Sequence, residues 1–169
     1  MRTKLNMVNN MWAPWRMEFI DDQRFKDGKA PCVFCELGAV AQLNSENLVL
    51  TKGKECFVVM NRFPYTNGHL LVVPYKHTAK MQDLSASAYQ EMMTLMTQGM
   101  DVLAKGVGAE GFNCGLNLGR VAGAGIVDHL HWHVVPRWNG DTNFFPVLGD
   151  ARSMPEYLAQ TYQRIAKDF

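Results

Sequence analysis

The sequence predicts an α+β domain with a mainly antiparallel sheet, and three observations carry that prediction. Short β-branched apolar runs follow one another at hairpin spacing, one long stretch repeats its apolar residues every three or four positions, and three histidines alternate with apolar residues late in the chain. At 169 residues, 47% hydrophobic and 20% charged, the chain is the size of one domain with an adequate core.

Residues 1–10 carry Arg2 and Lys4 but no apolar core or cleavage pattern, and they read as a mobile N-terminal extension; residues 11–169 read as a single domain. Trp12, Pro14 and Trp15 have too much aromatic surface for a free tail and are expected to pack on the body. Cys32 and Cys35 bracket a turn leading into an apolar piece, Leu37 to Val40, closed by the polar residues Asn44 to Asn47. Strands are expected at Leu48–Thr51, Cys56–Met60 and His69–Pro74, with a turn at Asn61–Asn67 that contains Pro64. Ser85 is placed as the N-cap of the main helix, whose face is Tyr89, Met92, Met93, Met96, Met100, Leu103 and Val107, with Gly106 and Gly108 to end it. Methionines at helical spacing read as core filler. Phe112–Leu118 returns to strand, the glycine-rich loop 119–125 follows, and then comes the histidine strand. Ser153 and Glu156 form a capping box with Pro155 in the first turn of a C-terminal helix whose face is Leu158, Tyr162, Ile165 and Phe169.

A formal charge of +1 gives no basic field for nucleic acid or membrane, and no apolar run reaches membrane-span length. The expectation is a soluble cytoplasmic protein whose four cysteines are thiols or metal ligands rather than disulfides, with Cys56 and Cys114 as core residues.

In a strand, His129, His131 and His133 share one face, each roughly 6.6–6.8 Å from the next, while Leu130, Trp132 and Val134 take the other. Three imidazoles fill a core badly, because every ring brings two nitrogens that need partners. Two jobs are open to them: nucleophile and proton shuttle near neutral pH, or ligands of a metal-dependent hydrolase. Cys32-x-x-Cys35 supplies two soft ligands, and tetrahedral zinc needs two more. Gly119, Gly123 and Gly125, with Ala122 and Ala124, let backbone N–H groups approach phosphate oxygens. Asn61 and Asn117 are either ligand contacts or turn residues satisfying their own backbone, and His69 reads as structural.

The run His129-Leu130-His131-Trp132-His133-Val134-Val135 resembles the signature of the histidine triad (HIT) superfamily of nucleotide hydrolases and transferases. Trp12-Ala13-Pro14-Trp15-Arg16, Cys32-Val33-Phe34-Cys35-Glu36, Asn61-Arg62-Phe63-Pro64, Gly68 to Pro74 and Pro136 to Phe144 are similar to its bacterial diadenosine tetraphosphate phosphorylase-like branch. The resemblance implies a five-stranded sheet with a long helix packed on it, and a homodimer in which two sheets associate. It implies His131 as nucleophile and His133 at the phosphate or leaving group. Asn117 is similar to a phosphate-contacting amide, and Asn61 to a residue accepting from ribose hydroxyls. A structural zinc would take His77 and His129 with the two cysteines. Where the family carries Gln or Ser before the triad, this chain has Gly125 and Ile126, which leaves the amides of Gly123, Ala124 and Gly125 as phosphate contacts. The implied activity is cleavage of diadenosine polyphosphates, by phosphorolysis or hydrolysis, through a covalent nucleotidyl-histidine. A phosphoramidate or mononucleotide hydrolase and a catalytically silent nucleotide binder are the rivals within reach of the same motifs.

Overall fold

The β-branched runs pair as five strands: Val49–Lys52 (β1), Cys56–Met60 (β2), Leu70–Pro74 (β3), Gly111–Gly115 (β4) and Trp132–Arg137 (β5). In this computed structural model, which describes residues 31–141 and 154–169, their order is β1-β2-β3-β5-β4 and every neighbour is antiparallel. The expectations for residues 1–10, for Trp12 to Trp15, for Ser153 and for the last part of the Pro136 to Phe144 motif lie outside the described residues.

β2 and β3 are buried on both faces, which is why they read as unbroken apolar runs rather than alternating ones. One face meets the long helix Ala86–Val107 (α2): Cys56 Sγ lies 3.7 Å from the Ala88 carbonyl, and a Cβ on Gly99 would stand 3.1 Å from Leu70. The other face carries Phe57, Val73, Leu71 and His133, paired across β2, β3 and β5. Against it lies the short helix Val33–Ala39 (α1), whose Gly38 packs closely on Tyr75 and Phe57, where a Cβ would stand 3.1 and 3.4 Å from their rings. Burying apolar area on both sides at about 25 cal/mol per Å² is what fixes the register, since a one-residue slip would exchange the two faces.

Ser85 caps α2 as expected, its side chain accepting from Ala88 N–H at 3.0 Å. Met92 is buried, Met96 and Met100 pack against the core, and Met93 faces solvent. The two glycines near the end have different tasks. Gly108 takes the left-handed conformation (φ 65°, ψ 35°) that stops the helix, whereas Gly106 lies inside it. A Cβ there would come within 2.8 Å of the fully buried Ile165, so Gly106 lets the C-terminal helix Leu158–Ile165 (α3) approach.

Four other sequence expectations are corrected. The CxxC pair is not a turn before a helix: Cys32 is the N-cap of α1 and Cys35 lies in its first turn. β4 ends at Gly115 rather than Leu118, and its Cys114 is exposed because β4 is a half-covered edge strand. α3 starts at Leu158, after Pro155 and Glu156, and the Glu156 carboxylate instead accepts from Thr161 Oγ1 and Arg164. The histidine strand begins only at Trp132, because the Leu130 N–H bonds the Thr78 carbonyl outside the sheet.

The β1–β2 hairpin is tied to α2 chiefly by Glu91, beside a bond from the cap Ser85 Oγ–H to the Glu55 carboxylate at 2.7 Å. The Glu91 carboxylate accepts the N–H groups of Lys54, Glu55 and Cys56 at 2.8, 2.6 and 2.8 Å. Charge-assisted backbone bonds of this kind are worth roughly 1.5–3 kcal/mol each before water replaces them. Glu91→Ala is therefore expected to lower the stability read from urea unfolding by about 2–3 kcal/mol, with the secondary structure retained.

Candidate functional site

The histidines of the chain, which number five, line the seam between β3 and β5 from the start of β3 to beyond its end, because those two strands are neighbours. His69 leads into β3, His77 follows it, His129 and His131 lead into β5, and His133 is its second residue. Leu71 pairs with His133, and Gly115 of β4 pairs with it from the other side.

Cys32, Cys35, His77 and His129 bring one ligand atom each to within 4.8 Å of one another. Cys32 Sγ lies 3.3 Å and Cys35 Sγ 3.7 Å from His129 Nδ1, and Cys35 Sγ lies 3.4 Å from His77 Nδ1. Metal–sulfur bonds of about 2.3 Å and metal–nitrogen bonds of about 2.0–2.1 Å around a tetrahedron give S···N edges of about 3.5 Å, so the donor set fits a four-coordinate soft divalent ion. The second nitrogen agrees. His129 Nε2–H donates to the Pro74 carbonyl at 2.8 Å, which fixes the tautomer and turns the Nδ1 lone pair towards the cysteines. Burial lowers the His129 pKa and keeps the ring in its ligand form, while burial and the Cys32 thiol raise that of Cys35. A cation between the thiols would reverse the second effect.

The three triad rings do not converge on one point. His131 Nδ1–H donates to the backbone carbonyl of His129 at 2.9 Å, leaving its Nε2 with a bare lone pair. Burial lowers the His131 pKa against the opposing pull of that carbonyl, so the ring is neutral at pH 7. Its ring centroid is 5.0 Å from that of His133 and 4.9 Å from that of Phe34.

His133 is organised by His69, a residue the sequence offered only as structural. The backbone N–H of Tyr65 donates to His69 Nδ1 at 3.1 Å, and Asn61 Nδ2 lies 3.2 Å from the same atom. The proton of neutral His69 is thereby placed on Nε2, which donates to His133 Nδ1 at 2.9 Å. His133 in turn carries its proton on Nε2, 3.5 Å from Asn117 Nδ2, so the Asn117 amide has to be turned with Oδ1 towards the ring to accept it. Tyr65 stacks on His133 at a 17° interplanar angle and closes one side of the pair. A period-two reading puts His69 on the face of Leu71, but only the β3–β5 register sets that face against His133.

Asn61 is in part the turn residue of the alternative reading, since its Oδ1 accepts from the Phe63 N–H at 3.0 Å. In the glycine-rich loop, Gly119 and Gly123 have φ of 82° and 89°, and a short 3-10 turn, Arg120–Ala122, lies between them. The N–H groups of Gly123 and Ala124 close that turn on Arg120 and Gly119, whereas the Gly125 N–H makes no such bond among the described residues. Arg62 reaches the Glu46 carbonyl and Arg137 the Asn113 amide, both away from the triad rings.

Burial, followed by repulsion from His133 and His131, lowers the His69 pKa to about 3 from an ordinary 6.5. The unfolded chain therefore binds the extra proton first, and the stability contributed by neutral His69 is present above pH 6.5 and is lost progressively as pH falls towards 3. His69→Gln keeps an N–H for His133 but does not titrate, so its stability curve is expected to be flatter over that window, by on the order of 4 kcal/mol, as read from unfolding midpoints against pH.

Comparison with known proteins agrees with this geometry. The HIT domain family model matches residues 42–140. A Mycobacterium tuberculosis protein named AP-4-A phosphorylase is 34% identical, with 97% of this chain and 86% of that protein covered. An adenosine 5'-monophosphoramidase of Schizosaccharomyces pombe is 30% identical over 64% of this chain and 75% of its own length. Among solved structures, a zinc-bound histidine triad family protein from Mycobacterium smegmatis superposes with a TM-score of 0.65 at 25% identity, covering 81% of this chain and 91% of that one. With its alternating histidines, its antiparallel five-stranded sheet and a family match spanning more than half of its length, this chain belongs to the HIT domain family.

Proposed function

We propose that the chain is a nucleotidyl-transferring enzyme that cleaves diadenosine polyphosphates, with His131 as nucleophile and His133 as proton donor. The observation that carries this reading is the 2.9 Å bond from His131 Nδ1–H to the His129 carbonyl, which leaves Nε2 available in a buried, neutral ring. Attack of Nε2 on an α-phosphorus forms an N–P bond while the in-line P–O bond to the departing nucleoside polyphosphate breaks. The nucleotidylated ring is cationic, and the His129 carbonyl stabilises the proton left on Nδ1. In the second step an acceptor oxygen attacks the same phosphorus and the N–P electron pair returns to Nε2.

His133, held as an Nε2–H donor by His69, suits phosphate oxygens or the departing oxygen. Once His133 has given its proton to the departing oxygen, its bare Nε2 can take one from water, while orthophosphate attacks as an anion and needs no base, so this residue serves either acceptor. The name of the M. tuberculosis relative, a phosphorylase, supports the same substrate with orthophosphate as acceptor. Asn117 and the Gly125 amide are the proposed phosphate contacts, with Gly123 and Ala124 as the small residues beside them. Asn61 keeps a second lone pair on Oδ1 for a ribose hydroxyl. The phosphoramidase relative keeps adenosine phosphoramidates as the second substrate class to test.

We assign zinc to Cys32, Cys35, His77 and His129. Four protein ligands leave no open position, so the ion would tie α1, the end of β3 and the start of β5 together rather than meet substrate. The half-exposed edge strand β4 supports a homodimer in which two sheets associate, because a second copy would cover it. All four cysteines are free thiols, which suits a cytoplasmic location, and no helix of the described residues is long and apolar enough to cross a membrane.

Incubation with diadenosine tetraphosphate is expected to give ADP and ATP when orthophosphate is present, and mass spectrometry of quenched reactions is expected to find adenylate on His131. His131→Ala should lose both the adduct and at least about a thousandfold in rate; full turnover by that variant would reject the nucleophile. Elemental analysis should find about one zinc per chain, falling sharply in Cys35→Ser with the fold retained by circular dichroism.

A further inference from the structure

The two residues between Cys32 and Cys35 are not interchangeable. Val33 is partly buried, but Phe34 is 4% exposed and is the one residue that α1 buries. Its ring sits against two of the three triad histidines, at centroid distances of 5.4 Å from His129 and 4.9 Å from His131.

We propose that Phe34 is a positioning residue for the His131 ring, and that the Cys32, Cys35, His77, His129 cluster holds it in place when metal is bound. The inference rests on the reading of His131 as nucleophile. Three observations carry it. First, histidine χ2 is a broad torsion, so the single bond from Nδ1–H to the His129 carbonyl leaves the ring able to swing unless its face is blocked. His133 meets it edge to face at 5.0 Å and 63°, and Phe34 meets it tilted at 4.9 Å and 46°; together they confine the direction of Nε2.

Second, α1 cannot hold Phe34 there by itself. It has seven residues, its N-cap Cys32 makes no side-chain capping bond, and isolated helices shorter than about 12–15 residues are marginal in water. The far end of α1 is secured by Lys52 Nζ on the Gly38 and Val40 carbonyls, but its first turn is anchored through the two cysteines. Third, the anchor and the target share a residue. His129 offers Nδ1 to the cluster and its backbone carbonyl to His131, so the cluster fixes the floor and the wall of the nucleophile's ring at once.

Misplacing an attacking atom by about 1 Å costs on the order of a hundredfold in rate without weakening ground-state binding. Phe34→Leu is therefore expected to slow adenylation of His131 by about 10–100-fold in rapid-quench mass spectrometry, with KM for diadenosine tetraphosphate within about twofold. A rise in KM at unchanged adenylation rate would make Phe34 a wall of the nucleotide pocket and overturn the proposal, as would no change in either. The second measurement does not depend on turnover. Long-range ¹H–¹⁵N spectra of the zinc-loaded protein should show His131 as a single Nδ1–H tautomer, and the same protein stripped by chelation should show a mixture of tautomers at unchanged circular dichroism. A single tautomer persisting after stripping, or unfolding on stripping, overturns the link between metal and ring. If the unsubstituted protein forms no adduct, the nucleophile assignment falls, while the spectra still decide whether metal and Phe34 order the ring.

Discussion

At this site the backbone decides where three of the imidazoles keep their protons, and the chemistry of the β3–β5 seam follows from that. The Pro74 carbonyl takes the Nε2–H of His129, the His129 carbonyl takes the Nδ1–H of His131, and the Tyr65 N–H denies a proton to Nδ1 of His69. Each of these is a group on the main chain, held by the fold. Identical side chains consequently emerge as a ligand, a bare lone pair and a relay to a donor.

Burial makes these assignments durable. His69 and His129 are almost completely enclosed, and His131 and His133 are 7% and 8% exposed. Enclosure disfavours the charged form of each ring for which a shift is resolved, so neutral imidazoles with defined tautomers persist where solvent would exchange them. The same enclosure needs walls. Phe34 supplies one and Tyr65 another, the first against His131 and the second stacked on His133.

Both faces of β2 and β3 are covered, whereas β4 is a half-exposed edge. The site lies between these regimes, on β5, which pairs with buried β3 on one side and with β4 on the other. His133 is thus paired with the doubly covered part of the sheet on one side and with the half-covered β4 on the other.

By itself the sequence determined the elements and their chemistry. Apolar runs in β2 and β3, the methionine-bearing face of α2, the Ser85 cap and the alternation around His131 are local patterns, and local patterns survive without knowledge of what they pack against. The cysteine pair and the alternating His129, His131 and His133 were legible as metal-binding and nucleophilic types, and resemblance supplied His77 as a partner. What needed the tertiary structure was every relation between distant segments. His69 became part of the site only through the β3–β5 register, Gly106 was legible as a helix stop until Ile165 was found against it, and Cys114 left the core because β4 has no neighbour on one side. Residue spacing fixes direction within one element, but hydrogen-bond partners, ring contacts and burial are set by pairs separated by tens of residues, and no local periodicity encodes them.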